Sequence, residues 1–284
     1  MIDLHQHSTC SDGTDTVLKI IKNNKSAGIE IMALTDHDTI KGCRKIIKTY
    51  NNKFGMSFIP GIEFSTQYEG ESVHLVCLGY DIDDKIINNL VKKAKQLRYK
   101  RIAKRIELLK SEFGIEFSPQ TLAKIKRSPN ASKPMLGKFL LDMGYGSSIG
   151  ENIQKYMYHK LPSEKLSTEE VIKAVKQSSG KIVYAHPLGG VGEKRIDKKV
   201  FEKRLKEFIG YGLQGIECYY SLYTPEEQSY LLEKAKEYKL LVSGGSDYHG
   251  TVKTVKIGEL RSDGSNTKNN NLTIIKKVKN IYNI

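Results

Sequence analysis

The chain has 284 residues and a formal net charge of +14, with 39% hydrophobic and 27% charged residues. This composition is typical of a globular protein and excludes a disordered chain, and the apolar runs are too short for a membrane span. The four cysteines are scattered without a Cys-x-x-Cys pair, so neither a thiolate zinc site nor a disulfide framework is indicated. The segment Met1–His5 is strand-like and lacks the pattern of a secretory signal, so we predict a reduced, cytoplasmic protein.

The excess positive charge comes mostly from lysine, much of it beside asparagine, as in Lys268–Asn271. This pattern is typical of a solvated surface. A nucleic-acid partner and an acidic small-molecule substrate are also compatible with a positively charged protein. Net charge affects what a protein associates with and does not indicate its fold.

Apolar β-rich runs and helical periodicity alternate along most of the chain. The predicted strands lie near Ile2–Leu4, Ile29–Leu34, Ser57–Phe64, Val73–Tyr80, Lys181–Ala185, Gly215–Cys218 and Leu240–Ser243. The predicted helices are Thr16–Gly28, Lys41–Asn51, Thr168–Ser178, Phe201–Tyr211 and Pro225–Tyr238. Such alternation predicts an α/β fold, and seven strands favour a (β/α) barrel of the TIM type over an open sheet. The turn Glu69-Gly70-Glu71 predicts a hairpin, which would distort the barrel there.

The stretch from Asp84 to Leu166 contains no convincing strand and has helical periodicity instead. We predict a helical insertion at 84–166 within a barrel domain of 1–83 and 167–284. The polar face of its first helix is basic, with Lys92, Lys93, Lys95, Arg98, Lys100, Arg101, Lys104, Arg105 and Lys110. That face is either a solvated helix surface or a positive rim that attracts phosphorylated substrates.

Six of the seven histidines lie close to predicted strand ends: His5, His7, His37, His74, His186 and His249. All but His74 lie at or just after the carboxyl end of a strand, where parallel barrels carry their active sites. In His5-x-His7 the period of two puts both imidazoles on the same side of an extended chain. Carboxylates accompany them at Asp12, Asp36, Glu63 and Asp247.

Buried imidazoles and carboxylates need partners, and divalent cations are the partner that they can share. Nitrogen and oxygen donors without thiolate predict Zn, Mn or Fe(II). The number of donors predicts several ions, with Glu63 as a candidate bridge between two of them.

Taken in order, the motifs resemble the polymerase and histidinol phosphatase (PHP) family of metal-dependent phosphoesterases. They are Asp-Leu-His-x-His-Ser-x-x-Ser-Asp-Gly at 3–13, Leu-Thr-Asp-His-Asp-Thr at 34–39, Pro-Gly-Ile-Glu-Phe-Ser at 60–65, Ala-His-Pro at 185–187, Gly-Ile-Glu at 215–217 and Gly-Ser-Asp-Tyr-His-Gly at 245–250. The resemblance covers nearly the whole chain and implies a distorted seven-stranded (β/α) barrel. Within the family, the motif set is closest to stand-alone nucleotide phosphatases with a helical insertion.

The resemblance also implies a trinuclear centre. The first ion would be held by His5, His7, Glu63 and Asp247, the second by Glu63, His74 and His186, and the third by Asp12, His37 and His249. Asp12 stands where some members of the family have histidine. Asp36 would orient His5, His7 or a bound water, which makes Asp36, Glu63 and Asp247 the predicted catalytic residues.

Lys133-Pro134-Met135 stands where such phosphatases usually have Arg-Pro-His, so Lys133 is the predicted phosphate-binding residue, without the bidentate fork of arginine. Tyr219 and Tyr220, just past a strand end, are predicted either to stack on a base or to be core aromatics.

The predicted activity is hydrolysis of a phosphomonoester, of a nucleoside monophosphate or 3′,5′-bisphosphate, by a metal-activated hydroxide. An exonuclease acting on short oligonucleotides and a phosphatase of the histidinol phosphate type are the nearest alternatives. A metal-dependent C–N hydrolase and a nucleic-acid-binding module without catalysis are the more distant ones. The sequence indicates no obligate protein partner.

Overall fold

The computed structural model describes residues 1–128, 131–158, 161, 165–191 and 193–284. Its strands are β1 (Ile2–Asp3), β2 (Ile31–Leu34), β3 (Ser57–Tyr68), β4 (Glu71–Leu78), β5 (Leu166–Ser167), β6 (Lys181–Tyr184), β7 (Gly215–Tyr219), β8 (Leu241–Gly244) and β9 (Tyr282–Asn283). Its α-helices are α1 (Val17–Ser26), α2 (Lys41–Tyr50), α3 (Lys85–Phe113), α4 (Pro119–Arg127), α5 (Lys133–Asp142), α6 (Ile149–Tyr156), α7 (Thr168–Lys176), α8 (Lys198–Tyr211) and α9 (Pro225–Glu237). The predicted α/β fold is confirmed.

The backbone contacts divide the chain into two compact units, one of Met1–Val91 with Ser167–Ile284 and the other of Lys92–Leu166. The division into a barrel domain (1–83, 167–284) and a helical insertion (84–166) stays a prediction. In the described part of the chain, no helix combines the length and the apolar character that crossing a bilayer requires.

The larger unit is built on one sheet in the order β1-β2-β3-β4-β6-β7-β8, with β5 and β9 off this path. β1, β2 and β3 are parallel, as are β6, β7 and β8, whereas β4 is antiparallel to both of its neighbours. The sheet as described therefore has two short strands beyond the seven predicted.

The predicted hairpin between β3 and β4 is confirmed. Tyr68 pairs with Glu71, so the loop has only two residues, Glu69 and Gly70. Both have positive φ, 47° and 80°. Two central residues with positive φ define the type I′ turn, whose twist matches that of the flanking strands. This tight turn explains why β4 is antiparallel to β3, since only a longer crossover allows parallel pairing.

The segments that follow β1 and β8 lie side by side. Backbone N–H groups of Leu4, His7 and Asp247 donate to the carbonyls of Gly244, Tyr248 and His5 at 3.2, 2.8 and 2.8 Å. These bonds bring the residues after β1 next to those after β8, at the carboxyl ends of both strands.

Helices cover the sheet with apolar side chains. Ile20 and Ile21 of α1 and Ile46 of α2 are fully buried, and they pack in one cluster with Met32 of β2 and Phe58 of β3. Ser167 caps the start of α7, because its hydroxyl accepts from the Glu170 backbone N–H at 3.0 Å. The core thus fixes the strands whose ends carry the histidines.

The smaller unit has a helical core of its own. Its buried side chains are Ile102, Leu109, Ile115, Phe117, Ile125, Ala131, Leu136, Leu140 and Met157. Arg105 was predicted to lie on the basic polar face of α3, and this is wrong: it is only 4% exposed and donates to the Met157 carbonyl at 3.1 Å. A buried guanidinium can satisfy the last carbonyls of a neighbouring helix, which periodicity along α3 alone does not reveal.

Candidate metal centre

Six histidine rings gather at one end of the sheet. Their centroids form a nearly continuous chain: His7–His249 4.0 Å, His7–His37 4.6 Å, His37–His74 5.0 Å, His74–His186 5.2 Å, and His5–His7 5.3 Å. His74 is the fourth of the eight residues of β4, and it joins the group because β4 is antiparallel. It pairs with Ser65 of β3, two residues after Glu63, and its carbonyl accepts from the Ala185 N–H just past the end of β6. The seventh histidine, His159, lies outside the described residues.

Glu63, on β3, is the centre of this arrangement. Its Oε2 lies 3.3, 3.1 and 3.1 Å from ring nitrogens of His5, His7 and His37. Its Oε1 lies 3.2 Å from His74 Nδ1 and 3.0 Å from His186 Nε2. One buried carboxylate thus faces five imidazoles, with both of its oxygens in use.

Two further carboxylates complete the cluster. Asp247 Oδ1 lies 3.6 and 3.4 Å from Nε2 of His5 and of His7 and 3.4 Å from His249 Nδ1. Asp12 lies 3.6 Å from nitrogens of His7 and of His37 and 3.4 Å from His249 Nε2. Asp247 is buried, whereas the Asp12 side chain is half exposed.

All nine residues predicted as metal ligands are therefore brought together. Potential ligand atoms lie within 4.8 Å of one another in four groups: His5, His7, Glu63 and Asp247; His7, Asp12, His37 and His249; His37, Glu63 and His74; and His74, His186 and Glu193. The first group has the composition predicted for the first ion, and the second contains the set predicted for the third ion. The set predicted for the second ion, Glu63, His74 and His186, is linked pairwise through Glu63 Oε1.

Backbone geometry holds the chain close around the cluster. His186 and Asp247 have positive φ, 26° and 55°, a conformation that is costly for residues other than glycine and is common at functional sites. At Gly245 a Cβ would lie 2.3 Å from His5 Cβ, and at Gly13 it would lie 2.3 Å from the His7 carbonyl oxygen. Only glycine allows so close an approach to the two histidines.

The electrostatics of the cluster favour cations. Against the effect of burial, the rings of His37, His5 and His74 hold the pKa of Glu63 well below its ordinary value. Burial, with the neighbouring His249 and His37, lowers the pKa of His7 well below its ordinary value. Burial also lowers the pKa of His5. The carboxylates of Glu217, Glu63 and Asp247 outweigh this effect and raise the pKa of His5 well above 6.5. The carboxylates stay ionised while adjacent imidazoles compete for protons.

The donor set fits divalent cations. Among the described residues, His5 Nε2 and His7 Nε2 are buried nitrogens without a hydrogen-bond partner. Both face carboxylate oxygens, and an unprotonated nitrogen and a carboxylate oxygen each present lone pairs, so a proton or a cation must lie between them. Imidazole and carboxylate donors suit zinc, manganese and iron, and such binding would satisfy both nitrogens.

Asp36, predicted to be catalytic, is buried and accepts from the Ser8 N–H and hydroxyl, both at 2.8 Å, and from the Ser11 hydroxyl at 2.6 Å. Ser11 Oγ in turn lies 3.5 Å from His7 Nδ1. The effect of burial exceeds that of these hydrogen bonds and raises the pKa of Asp36 to about 6. Its predicted orienting role would therefore act on His7 through Ser11.

Neither predicted substrate-stacking tyrosine presents a free ring. Tyr219 is 5% and Tyr220 1% exposed. The Tyr220 hydroxyl donates to Asp247 Oδ2 at 3.0 Å, and the Arg261 guanidinium lies 5.2 Å from the Tyr219 ring centroid. Of the two roles predicted for Tyr219 and Tyr220, the structure favours that of core aromatics.

Lys133 lies at the start of α5 in the smaller unit. Burial and the nearby Arg105 and Arg101 lower its pKa, and its phosphate-binding role stays a prediction.

Three residues at the cluster were given no role by sequence reasoning. Glu217 contacts His5 Nδ1 at 3.0 Å and accepts from the His186 N–H at 2.8 Å. Lys253 lies 2.5 Å from Asp247 Oδ2, and Glu193 lies 2.9 Å from His186 Nδ1. Glu217 could have been found from its position in the Gly-Ile-Glu motif at a strand end. Lys253 and Glu193 lie in loops without a local signal.

The chain was compared with known proteins. A model of the PHP domain matches residues 3–123, a range that contains the first six of the nine predicted ligands. The 5′-3′ exoribonuclease Rnm of Escherichia coli strain K12 is 27% identical over 266 residues, covering 90% of this chain and 87% of that protein. The 3′,5′-nucleoside bisphosphate phosphatase of Chromobacterium violaceum is 26% identical over 253 residues, covering 87% of each.

Among solved structures, the chain is similar to a Bifidobacterium adolescentis protein assigned as a metal-dependent phosphoesterase. The TM-score is 0.77 at 27% identity, and the alignment covers 96% of this chain and 94% of the other. Both kinds of comparison thus point to the family whose motifs the sequence contains. Residues 3–123 match the PHP domain, and over most of its length the chain is similar to metal-dependent phosphoesterases.

Proposed function

We propose that the protein hydrolyses a phosphate monoester of a nucleotide, at a centre of three divalent cations of manganese, zinc or iron. The single observation that carries this proposal is the buried Glu63 carboxylate facing five imidazoles. The ions would be held by His5, His7, Glu63 and Asp247, by Glu63, His74 and His186, and by Asp12, His37 and His249. The hydrogen bonds between the segments after β1 and β8 support closure of the sheet into a distorted barrel around this centre.

Divalent cations in such a centre supply Lewis acidity, which activates water and offsets negative charge on phosphate oxygens. The residues of this chain do the positioning. Glu63 neutralises charge at the centre and faces all five rings at once. Asp247 is oriented through its Oδ2 by the Tyr220 hydroxyl and the Lys253 ammonium, which leaves Oδ1 toward His5 and His7.

The exposure of the cluster indicates the side from which the substrate arrives. His5, His7, Glu63 and Asp247 are almost fully buried. His37 and His74 have side chains 14% and 18% exposed, and Asp12 is 50% exposed. We infer that the phosphate approaches past these three residues, while the buried ones exclude bulk water and strengthen the local electrostatics.

A nucleotide substrate is supported by the relatives, since the Chromobacterium violaceum protein is a 3′,5′-nucleoside bisphosphate phosphatase. A second candidate function is removal of nucleotides from the 5′ end of RNA. It is favoured by the Escherichia coli relative, a 5′-3′ exoribonuclease that aligns with 90% of this chain. The net charge of +14 is compatible with both, because both substrates are polyanions.

The test is a product analysis on protein stripped with a chelator and reloaded with Mn²⁺, Zn²⁺ or Fe²⁺. The substrates are adenosine 5′-monophosphate, adenosine 3′,5′-bisphosphate, histidinol phosphate, a 5′-phosphorylated pentaribonucleotide and an amide. Release of inorganic phosphate from the mononucleotides would support the first proposal. Stepwise release of mononucleotides from the RNA would support the second. Turnover of the amide alone, or salt-dependent RNA binding without turnover, would contradict both.

Tyr220→Phe separates a positioning role for this residue from base stacking. The variant keeps the ring but loses the hydroxyl that donates to Asp247 Oδ2. We expect kcat to fall about tenfold with KM unchanged, the lower end of what loss of a hydrogen bond to a metal ligand costs. Steady-state kinetics on the preferred substrate measure both values. Unchanged kcat in this variant, with a raised KM in Tyr220→Leu, would instead indicate stacking.

A further inference from the structure

A carboxylate outside the nine predicted ligands lies against two of the clustered imidazoles. Glu193 Oε2 is 2.9 Å from His186 Nδ1, and Glu193 Oε1 is 3.3 Å from His74 Nδ1. The opposite nitrogen of His186, Nε2, is 3.0 Å from Glu63 Oε1, and His74 Nδ1 is 3.2 Å from that same oxygen. Glu63 and Glu193 therefore contact opposite nitrogens of His186 and the same nitrogen of His74.

The loop between His186 and α8 holds Glu193 in this position. The Gly190 N–H donates to Glu193 Oε2 at 2.8 Å, and the Glu193 N–H donates back to the Gly190 carbonyl at 3.1 Å. The loop is tied down by Leu188, whose N–H donates to the Tyr223 hydroxyl at 2.8 Å. A Cβ on Gly190 would lie 3.1 Å from His186 Nδ1, so glycine lets the loop approach the ring closely.

The two oxygens of Glu193 are suited to different tasks. Oε2 can accept a hydrogen bond from His186 Nδ1–H, which fixes the tautomer in which Nε2 is free to bind a cation beside Glu63. Oε1 lies next to His74 Nδ1, the nitrogen that also faces Glu63.

We propose that Glu193 is a tenth residue of the metal centre: its Oε1 is a ligand of the divalent cation held by Glu63, His74 and His186, and its Oε2 positions His186. This inference rests on the proposed function, since it concerns the second cation of that centre. The added carboxylate gives this cation two imidazoles and two carboxylates, a four-residue donor set of nitrogen and oxygen that suits zinc, manganese or iron.

A cation has a route to this position. Glu193, His74 and His186 all line a cavity of about 540 Å³ whose other walls come from β4, the end of β6 and the first turns of α8. The Glu193 side chain is 27% exposed, so it is the member of this set most accessible from the cavity. An entry path is one of the features that a metal site requires besides its ligands.

The test is metal binding by Glu193→Gln, measured by titration calorimetry with Mn²⁺ and by elemental analysis after dialysis. The variant keeps one acceptor oxygen but loses the charge, and Glu193→Ala removes both. We expect one cation to be lost on dialysis, or its affinity to fall about 10- to 100-fold, in both variants. Glu71→Gln is the matched control, because Glu71 lines the same cavity, is exposed, and belongs to none of the ligand groups.

Equal melting temperatures of the chelated parent and variants would show that the substitution leaves the fold intact. Parent-like stoichiometry and affinity in both Glu193 variants would overturn the assignment. A parent that binds the cations but hydrolyses no phosphate ester would contradict the proposed function and not the assignment of Glu193. A parent that binds no cation would contradict both.

Discussion

Glu63→Gln is expected to reduce hydrolysis about a thousandfold while the protein stays folded. The amide has nearly the shape of the carboxylate but lacks its charge. Its NH₂ group would face imidazole nitrogens that in the parent protein face a carboxylate oxygen. Loss of a shared anionic ligand removes several kcal/mol of charge stabilisation, and about 4 kcal/mol corresponds to three orders of magnitude in rate. Initial rates on an aryl phosphate with saturating Mn²⁺ measure this effect.

Glu233→Gln is the matched control for this variant, because Glu233 is exposed on α9 and undergoes the same chemical change. It should retain the parent rate and metal content. Far-UV circular dichroism and elution volume establish that Glu63→Gln is folded, and elemental analysis should find fewer bound cations than in the parent. Activity within about threefold of the parent would refute the central role of Glu63.

Gly245→Ala is expected to destabilise the protein by about 3 kcal/mol or more and to weaken cation binding. Its new methyl carbon would lie 2.3 Å from His5 Cβ and 2.4 Å from the His5 backbone nitrogen. Because the obstacle includes backbone, rotation of a side chain cannot relieve the clash, and overpacking a buried position costs about 1–3 kcal/mol or more. The melting temperature of the chelated protein should fall by about 6 °C or more.

The same substitution at Gly210 provides the contrast. Gly210 lies in α8, where nothing lies within 4 Å of the added carbon. Gly210→Ala should therefore leave cation binding unchanged and raise stability by roughly 0.5–1 kcal/mol, since alanine is the better helix former. If Gly245→Ala melted at or above the parent temperature, with unaltered Mn²⁺ affinity, the close packing of Gly245 against His5 would be refuted.

Local signals in the sequence predicted much of the fold and of the candidate site. The α/β alternation followed from periodicity, and the hairpin at Glu69-Gly70 followed from turn chemistry. In His5-x-His7 the period of two predicted two rings on the same side, and both rings indeed face Glu63 Oε2. Helices, strands, tight turns and the side of a strand on which a residue lies depend on residues close together in the chain. The spacing of residue types therefore predicts them.

His74 was predicted as a metal ligand from the motifs, whereas its position on the strand argued against that role. Its location near the start of a strand is unfavourable if all strands are parallel. The antiparallel pairing of β4 with β3 and with β6 brings His74 to the edge where the other histidines lie. Strand direction depends on how the whole sheet is assembled, so it could not be determined from the residues around His74.

The sequence by itself determined which imidazoles and carboxylates are available and on which strand ends they occur, because residue type and local periodicity are written along the chain. Only the tertiary structure decided the contacts of Glu193, Lys253 and Tyr220 and the burial of Arg105. Each of these side chains is engaged by a partner outside its own element, as when the Tyr220 hydroxyl reaches Asp247, 27 residues away. Contacts of that range arise from packing of the completed fold, which no local pattern encodes.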